Sequence, residues 1–212
     1  PIVDGGTELT GSVTGGTYSG TMTLGAFAGA DVVHVVKWYD QSGNGRDAFQ
    51  LTENNQPILM TGAVIDADGI DFTGLGAPGD DRLIVDYKFT TTNDHTFHAV
   101  AKTDAAGTFG ILSDIDASYD DGAELLTLAS GAWSYRIDNT DLEPAVTTTN
   151  KAHLLASYET GLSGSEQQLR VNGVLAQQDC TETLSFNVAD RIRIGARRDT
   201  DNDLNGKIAE IM

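Results

Sequence analysis

His153-Leu154-Leu155-Ala156-Ser157-Tyr158, and after it Leu169-Arg170-Val171-Asn172-Gly173-Val174, decide how the chain is read. Leu154, Ala156 and Tyr158 alternate with His153, Leu155 and Ser157, the period of two that points one set of side chains into a core and the other toward water. Asn172-Gly173 supplies the centre of a type I′ turn, where both residues must take positive φ. The segment therefore reads as an antiparallel hairpin with one buried face. Beyond it, Ile192 and Ile194 alternate with Arg191 and Arg193, and Ile208 to Met212 reads as a last strand. Before it, Val32 to Tyr39, Ile58 to Met60, Ile70 to Phe72, Leu83 to Phe89 and Thr96 to Lys102 are short β-prone runs bounded by turn residues. No apolar period of about 3.6 residues interrupts them.

Ten or more such runs predict an all-β protein built as a two-sheet antiparallel jelly-roll sandwich. Composition agrees, since 24 glycines against 4 prolines among short Val, Ile, Leu and Tyr runs suit many strands joined by tight turns. With 212 residues, 40% of them apolar, the chain can bury a sizeable core as one domain. Residues 1–29, rich in Gly and Thr, read as an arm or peripheral strand, and residues 30–212 as the jelly-roll domain. Pro1-Ile2-Val3-Asp4-Gly5 resembles neither a signal peptide nor an initiation site, so a processed product or part of a larger chain is expected.

Charge narrows the functions. Thirteen Lys and Arg against 31 Asp and Glu leave a net of −18, a potential that repels phosphate backbones and argues against a nucleic-acid partner. The same surface would attract divalent cations or simply maintain solubility. A single cysteine, Cys180, excludes an intrachain disulfide and any Cys-based zinc or iron-sulfur site. No run of about 18 apolar residues is present, so membrane insertion by a helix is not expected.

Trp38-Tyr39-Asp40-Gln41-Ser42-Gly43-Asn44-Gly45-Arg46-Asp47-Ala48, then Asn55-Gln56-Pro57 and Gly69-Ile70-Asp71-Phe72-Thr73-Gly74, resemble the concanavalin A-like lectin/glucanase superfamily. The likeness is to its laminin G-like jelly rolls and its arabinofuranosidase-B-like domains. Leu169-Arg170-Val171-Asn172-Gly173, Ile192-Arg193-Ile194-Gly195 and Asn205-Gly206-Lys207-Ile208-Ala209-Glu210-Ile211 follow in the order of that family's hairpin, inner strand and closing strand. The resemblance spans about residues 32–212 and implies the fold. It says less of activity, because the fold hosts lectins, glycosidases, adhesion modules and phage appendages.

A retaining glycosidase needs two carboxyl groups about 5 Å apart, which family glucanases place on one strand as E-x-D-x-x-E. No such string occurs; the nearest substitute is Asp114, Asp116 and Glu124, with a solvated acidic loop as the alternative. The cysteine-rich segment that the arabinofuranosidase resemblance would place beside catalytic carboxylates is also missing. The four histidines, His34, His95, His98 and His153, stand without a G-x-S-x-G elbow.

Asp201-Asn202-Asp203-Leu204-Asn205-Gly206 fits the D-x-[DN]-x-[DN]-G pattern, with Asp199 as a further oxygen donor, so Asp199, Asp201, Asp203 and Asn205 are the candidate Ca²⁺ ligands. An acidic loop entering the last strand is the alternative reading. Asp40 to Gly45 has the same spacing, yet a rigid turn in which Asp and Asn side chains bond nearby backbone N–H groups accounts for it better. For a sugar, which is held by an aromatic face and polar partners, the candidates are Trp133, Tyr135, Tyr119, Asp120 and Asp121, with core burial as the alternative for Trp133 and Tyr135. Trp38 is assigned to the core.

Together these readings lead to a non-catalytic binding or structural module, extracellular or on a cell or virion surface. Its expected partner is a glycan, with calcium assisting, or neighbouring subunits of a surface assembly, further copies of the chain included. A glycoside hydrolase and a purely architectural subunit are the alternatives.

Overall fold

A computed structural model describes the chain outside residues 1, 5–6, 10, 15–16, 21–29, 63, 74–80, 88–93, 116–121, 138–139, 145–149, 162–163, 181–190 and 198–202. Four short strands come first, β1 (Ile2–Asp4), β2 (Thr7–Leu9), β3 (Gly11–Thr14) and β4 (Thr17–Gly20). They form two two-stranded sheets, β1 with β2 and β3 with β4, within the stretch read as an arm.

The next strands are β5 (Val32–His34), β6 (Lys37–Trp38), β7 (Ala48–Phe49), β8 (Ile58–Thr61), β9 (Val64–Ile65), β10 (Ile70–Asp71) and β11 (Leu83–Val85). Longer ones follow: β12 (His95–Thr103), β13 (Phe109–Ile115), β14 (Gly122–Thr127), β15 (Trp133–Ile137) and β16 (Thr140–Leu142). The last are β17 (Ala152–Gly161), β18 (Gly164–Val171), β19 (Val174–Cys180), β20 (Ile192–Ile194) and β21 (Gly206–Ile211). One sheet of nine strands runs β19-β18-β17-β12-β21-β10-β8-β5, with β9 on β8; the other, of eight, runs β16-β15-β14-β13-β20-β11-β7-β6. Every pairing is antiparallel, so the protein is an all-β, two-sheet sandwich as the alternation predicts. No helix among the described residues is long and apolar enough to cross a membrane.

The deciding hairpin forms as read. Leu154 pairs with Val171 and Ala156 with Leu169, all four fully buried, while Leu155 and Arg170 face outward. Asn172 (φ 50°) and Gly173 (φ 85°) make the turn between β18 and β19. Between the sheets lie Phe72, Leu83, Phe97, Ile111, Leu125, Trp133, Tyr135, Ile137, Leu154, Tyr158, Leu169 and Ile208. Gln167 is a polar residue on this inner face; its amide donates to the carbonyls of Tyr135 and Thr140 and so ties the nine-stranded sheet to the other.

Val32 to Tyr39 is not one strand. Val35 N still donates to Pro57 O beside β8, but Val36 O already accepts from Gln50 N beside β7. The chain changes sheets between those two residues, so β5 and β6 belong to opposite layers. Trp38 packs against the core from its rim, only partly buried.

Candidate functional site

Cross-strand partners share a face, so the registers of the eight-stranded sheet define a single row across its outer side. Lys37 pairs with Phe49, Phe49 with Ile84, Ile84 with Arg193, Arg193 with Ser113, Ser113 with Glu124, Glu124 with Arg136, and Arg136 with Asp141. Their neighbours in sequence, Trp38, Ala48, Val85, Ile192, Leu112, Ala123, Ile137 and Leu142, belong to the core or pack against it.

The middle of the row is closed. Glu124 is fully buried, and the Arg197 guanidinium clamps it, Nε to Oε1 at 2.6 Å and NH2 to Oε2 at 2.8 Å. Burial pushes the Glu124 carboxyl up, and the pull of Arg197 opposes that shift without cancelling it. The Ser113 hydroxyl donates to Arg197 O at 2.8 Å, and Gly110 leaves room for the chain here, because a Cβ there would stand 2.4 Å from the carbonyl carbon of Ala196. Ala196 and Arg197 therefore lie across this part of the sheet. Toward β16 the row opens, and the Arg136 guanidinium grips Asp141 at 2.8 and 2.5 Å, with the Ser134 hydroxyl adding a bond of 3.0 Å.

At the other end a pocket of about 380 Å³ opens beside Lys37 and Phe49, lined also by Val36, Gly45, Arg46, Asp47, Leu51 and Asp86. The loop Asp40 to Asp47 builds its wall. Asp40 accepts hydrogen bonds from the N–H and hydroxyl of Ser42 and from Arg46 N, which lower its pKa to about 2. Asp47 accepts from Asp40 N at 2.9 Å and pairs with Lys37 at 2.6 Å. With Gly43 and Gly45 at positive φ, this is the rigid turn expected of the motif. The turn delivers the Arg46 guanidinium to 3.7 Å from the Tyr87 ring centroid. Lys37 lies over Tyr39, a ring that is 57% exposed.

Along the row and the side chains set on it, the six cations Lys37, Arg46, Arg136, Arg191, Arg193 and Arg197 stand against the five acids Asp40, Asp47, Asp86, Glu124 and Asp141. In a chain of net charge −18, this described face is the cationic one.

The residues singled out in the sequence are scattered. Trp133 and Tyr135 are fully buried, so they belong to the core and offer no ring face to a sugar; the Tyr135 hydroxyl instead meets His95 Nε2 at 2.6 Å. Asp114 pairs with Ala123 and Glu124 with Ser113, which puts the two carboxyl groups on opposite faces of the sheet, where they cannot flank one glycosidic bond. Asp116, Tyr119, Asp120, Asp121, Asp199 and Asp201 lie outside the described residues. Asp203 is buried and Asn205 half-buried. Gly206 begins β21, where a Cβ would come within 2.0 Å of Lys102 O, so its role in the described structure is close strand packing. Among the described residues no three His, Cys, Asp or Glu side chains are grouped to hold a metal ion. The reading of the sequence missed the pocket: its motif flagged the turn, but nothing local marks Tyr87 as the platform for Arg46.

No protein-family model matches the chain, and no curated protein does. Among solved structures, Trypanosoma rangeli sialidase in complex with 2,3-difluoro-KDN aligns over 96% of this chain and 33% of its own, at 14% identity and a TM-score of 0.58. The chain thus spans about a third of that protein, and the likeness is one of fold. Partial alignments are found with the CBM40 of Ruminococcus gnavus IT-sialidase (57% of this chain, 74% of that one, 15% identity, TM-score 0.44). Tailspike protein 2 of a bacteriophage of Escherichia coli O157:H7 also aligns in part (62% and 21%, 14% identity, TM-score 0.39).

Proposed function

We propose that the chain is a non-catalytic glycan-recognition module of the concanavalin A-like kind, working outside the cell or on a virion surface. The pocket at the Lys37 end of the cationic face carries this reading. It is concave, has apolar floor and wall residues in Val36, Phe49 and Leu51, and is rimmed by Lys37, Arg46, Asp47 and Asp86. Apolar C–H faces and hydroxyls of a sugar need those two kinds of surface side by side. The ordered motifs from Trp38 to Ile211 support the family assignment.

The separation of Asp114 from Glu124 weighs against the glycosidase alternative in the form the sequence suggested. A glycan array probed with and without a calcium chelator tests the proposal. Binding to a defined set of glycans, reduced by Leu51→Asp, is the expected result, and loss with chelator would add calcium to the reading. No binding in either condition sinks it and leaves an architectural role.

A further inference from the structure

Of the two cations that line the pocket, Arg46 has no carboxylate partner among the described residues. Among the described residues Lys37, Arg191 and Arg197 each have a carboxylate partner, whereas the Arg46 side chain makes only its contact with the Tyr87 ring. The Arg46 Cζ lies over the Tyr87 ring, 3.7 Å from its centroid, a cation–π contact that uses none of the guanidinium's five N–H donors in a hydrogen bond to a carboxylate. Arg46 is one of the residues that line the pocket. A planar fork of N–H groups is the geometric complement of a carboxylate, which it binds through two parallel hydrogen bonds.

The rest of the rim limits what accompanies the carboxylate. Asp47 and Asp86 would repel a second negative charge at close range, and both are acceptors suited to hydroxyl donors. Lys37, already spanning to Asp47 at 2.6 Å, retains N–H donors for a ring or hydroxyl oxygen. Val36, Phe49 and Leu51 present apolar surface for a C–H face. The volume, about 380 Å³, falls at the lower end of the small-ligand range, which begins at about 300 Å³.

We infer that this pocket binds a singly charged acidic sugar unit of the uronic-acid type, its carboxylate on Arg46 and its hydroxyls on Asp47 and Asp86. The inference rests on the glycan-recognition reading and adds the ligand class to it. Oligogalacturonate and oligomannuronate, each beside its methyl ester, are titrated into the intact protein by calorimetry, with the neutral members of the glycan array as a control. The acid forms should bind, the esters at least tenfold more weakly, and affinity should fall as NaCl rises. Arg46→Ala should abolish the preference for the acid form while leaving the circular dichroism spectrum and Tm unchanged. Arg46→Lys should restore only part of it, because charge returns without the flat fork. Equal affinity for acid and ester, or an unaltered Arg46→Ala, overturns the inference while neutral-glycan binding leaves the recognition module standing. Failure of every sugar, neutral or acidic, overturns both.

Discussion

The two outer faces of the sandwich are built on opposite plans. On the eight-stranded sheet the row from Lys37 to Asp141 is cationic in sum, closed at its centre by Ala196 and Arg197, and hollowed at one end. On the nine-stranded sheet the described charged side chains are exposed or half-buried, and none is enclosed as Glu124 is. Glu159, Glu166 and Asp179 stand side by side across β17, β18 and β19, with Gln168 and Gln177 donating to Glu166. In the middle of the sheet, on β12 and β21, Lys102 bridges Asp68 at 3.1 Å and Asp104 at 3.4 Å, and Lys207 reaches Asp71 at 2.9 Å. A carboxylate on the open face costs almost nothing to expose, whereas Glu124 on the closed face depends on a single guanidinium. The contrast separates a surface that keeps the protein soluble from one that is shaped.

The largest effect should come from that dependence. Arg197→Ala strands a buried carboxyl and should lower stability by about 3–5 kcal/mol, while Lys102→Ala, on the more exposed cluster, should change it far less. Urea denaturation of both variants checks this, and similar losses would erase the distinction between the faces. Gly110→Ala is next: its methyl would meet the Ala196 backbone at 2.4 Å and should cost about 1–3 kcal/mol, against a few tenths for Ser157→Ala on the open face.

Acid should then discriminate the two kinds of carboxyl. Asp40 has its pKa lowered to about 2, so its contribution to the turn is complete above the ordinary carboxylate value and is lost as pH falls through about 2. Glu124 is shifted the other way, so the folded state holds its proton more tightly and that part of the stability declines as pH rises past the ordinary value. Amide exchange at Ser42 and Arg46 should rise in Asp40→Asn, and Glu124→Gln should flatten the opposing slope in a pH series of unfolding midpoints. The smallest effect belongs to the acidic row, where Glu166→Gln should stabilise by a few tenths of a kcal/mol at low salt and do nothing in 1 M NaCl.

Much of the fold was readable because its signals are local. The alternation through Ala152 to Glu159 and the Asn172-Gly173 turn each specify a face or a φ within a few residues. Val32 to Tyr39 misled because uniform β-propensity hides a change of hydrogen-bond partner, from Pro57 to Gln50, that only the assembled layers determine. The site was less legible for the same reason. Periodicity puts Trp133 and Tyr135 on one face without saying which face is inward, and it cannot align Asp114 with Ala123 or Glu124 with Ser113, the pairing that splits those acids. Arg197 meets Glu124, and Arg46 meets Tyr87, across separations no motif records.

The position of β21 has a consequence for how the molecule is made. Gly206–Ile211 comes last among the strands yet sits in the middle of the nine-stranded sheet, between β12 and β10. While the chain is being translated, β17, β18 and β19 can join β12 on one side, and β5, β8 and β10 can associate on the other. The seam between these blocks stays open until residues 206–211 leave the ribosome. Two raw strand edges wait through that interval, each a template for a wrong partner. A chain stopped a few residues short would keep most of its strands and still have no continuous sheet.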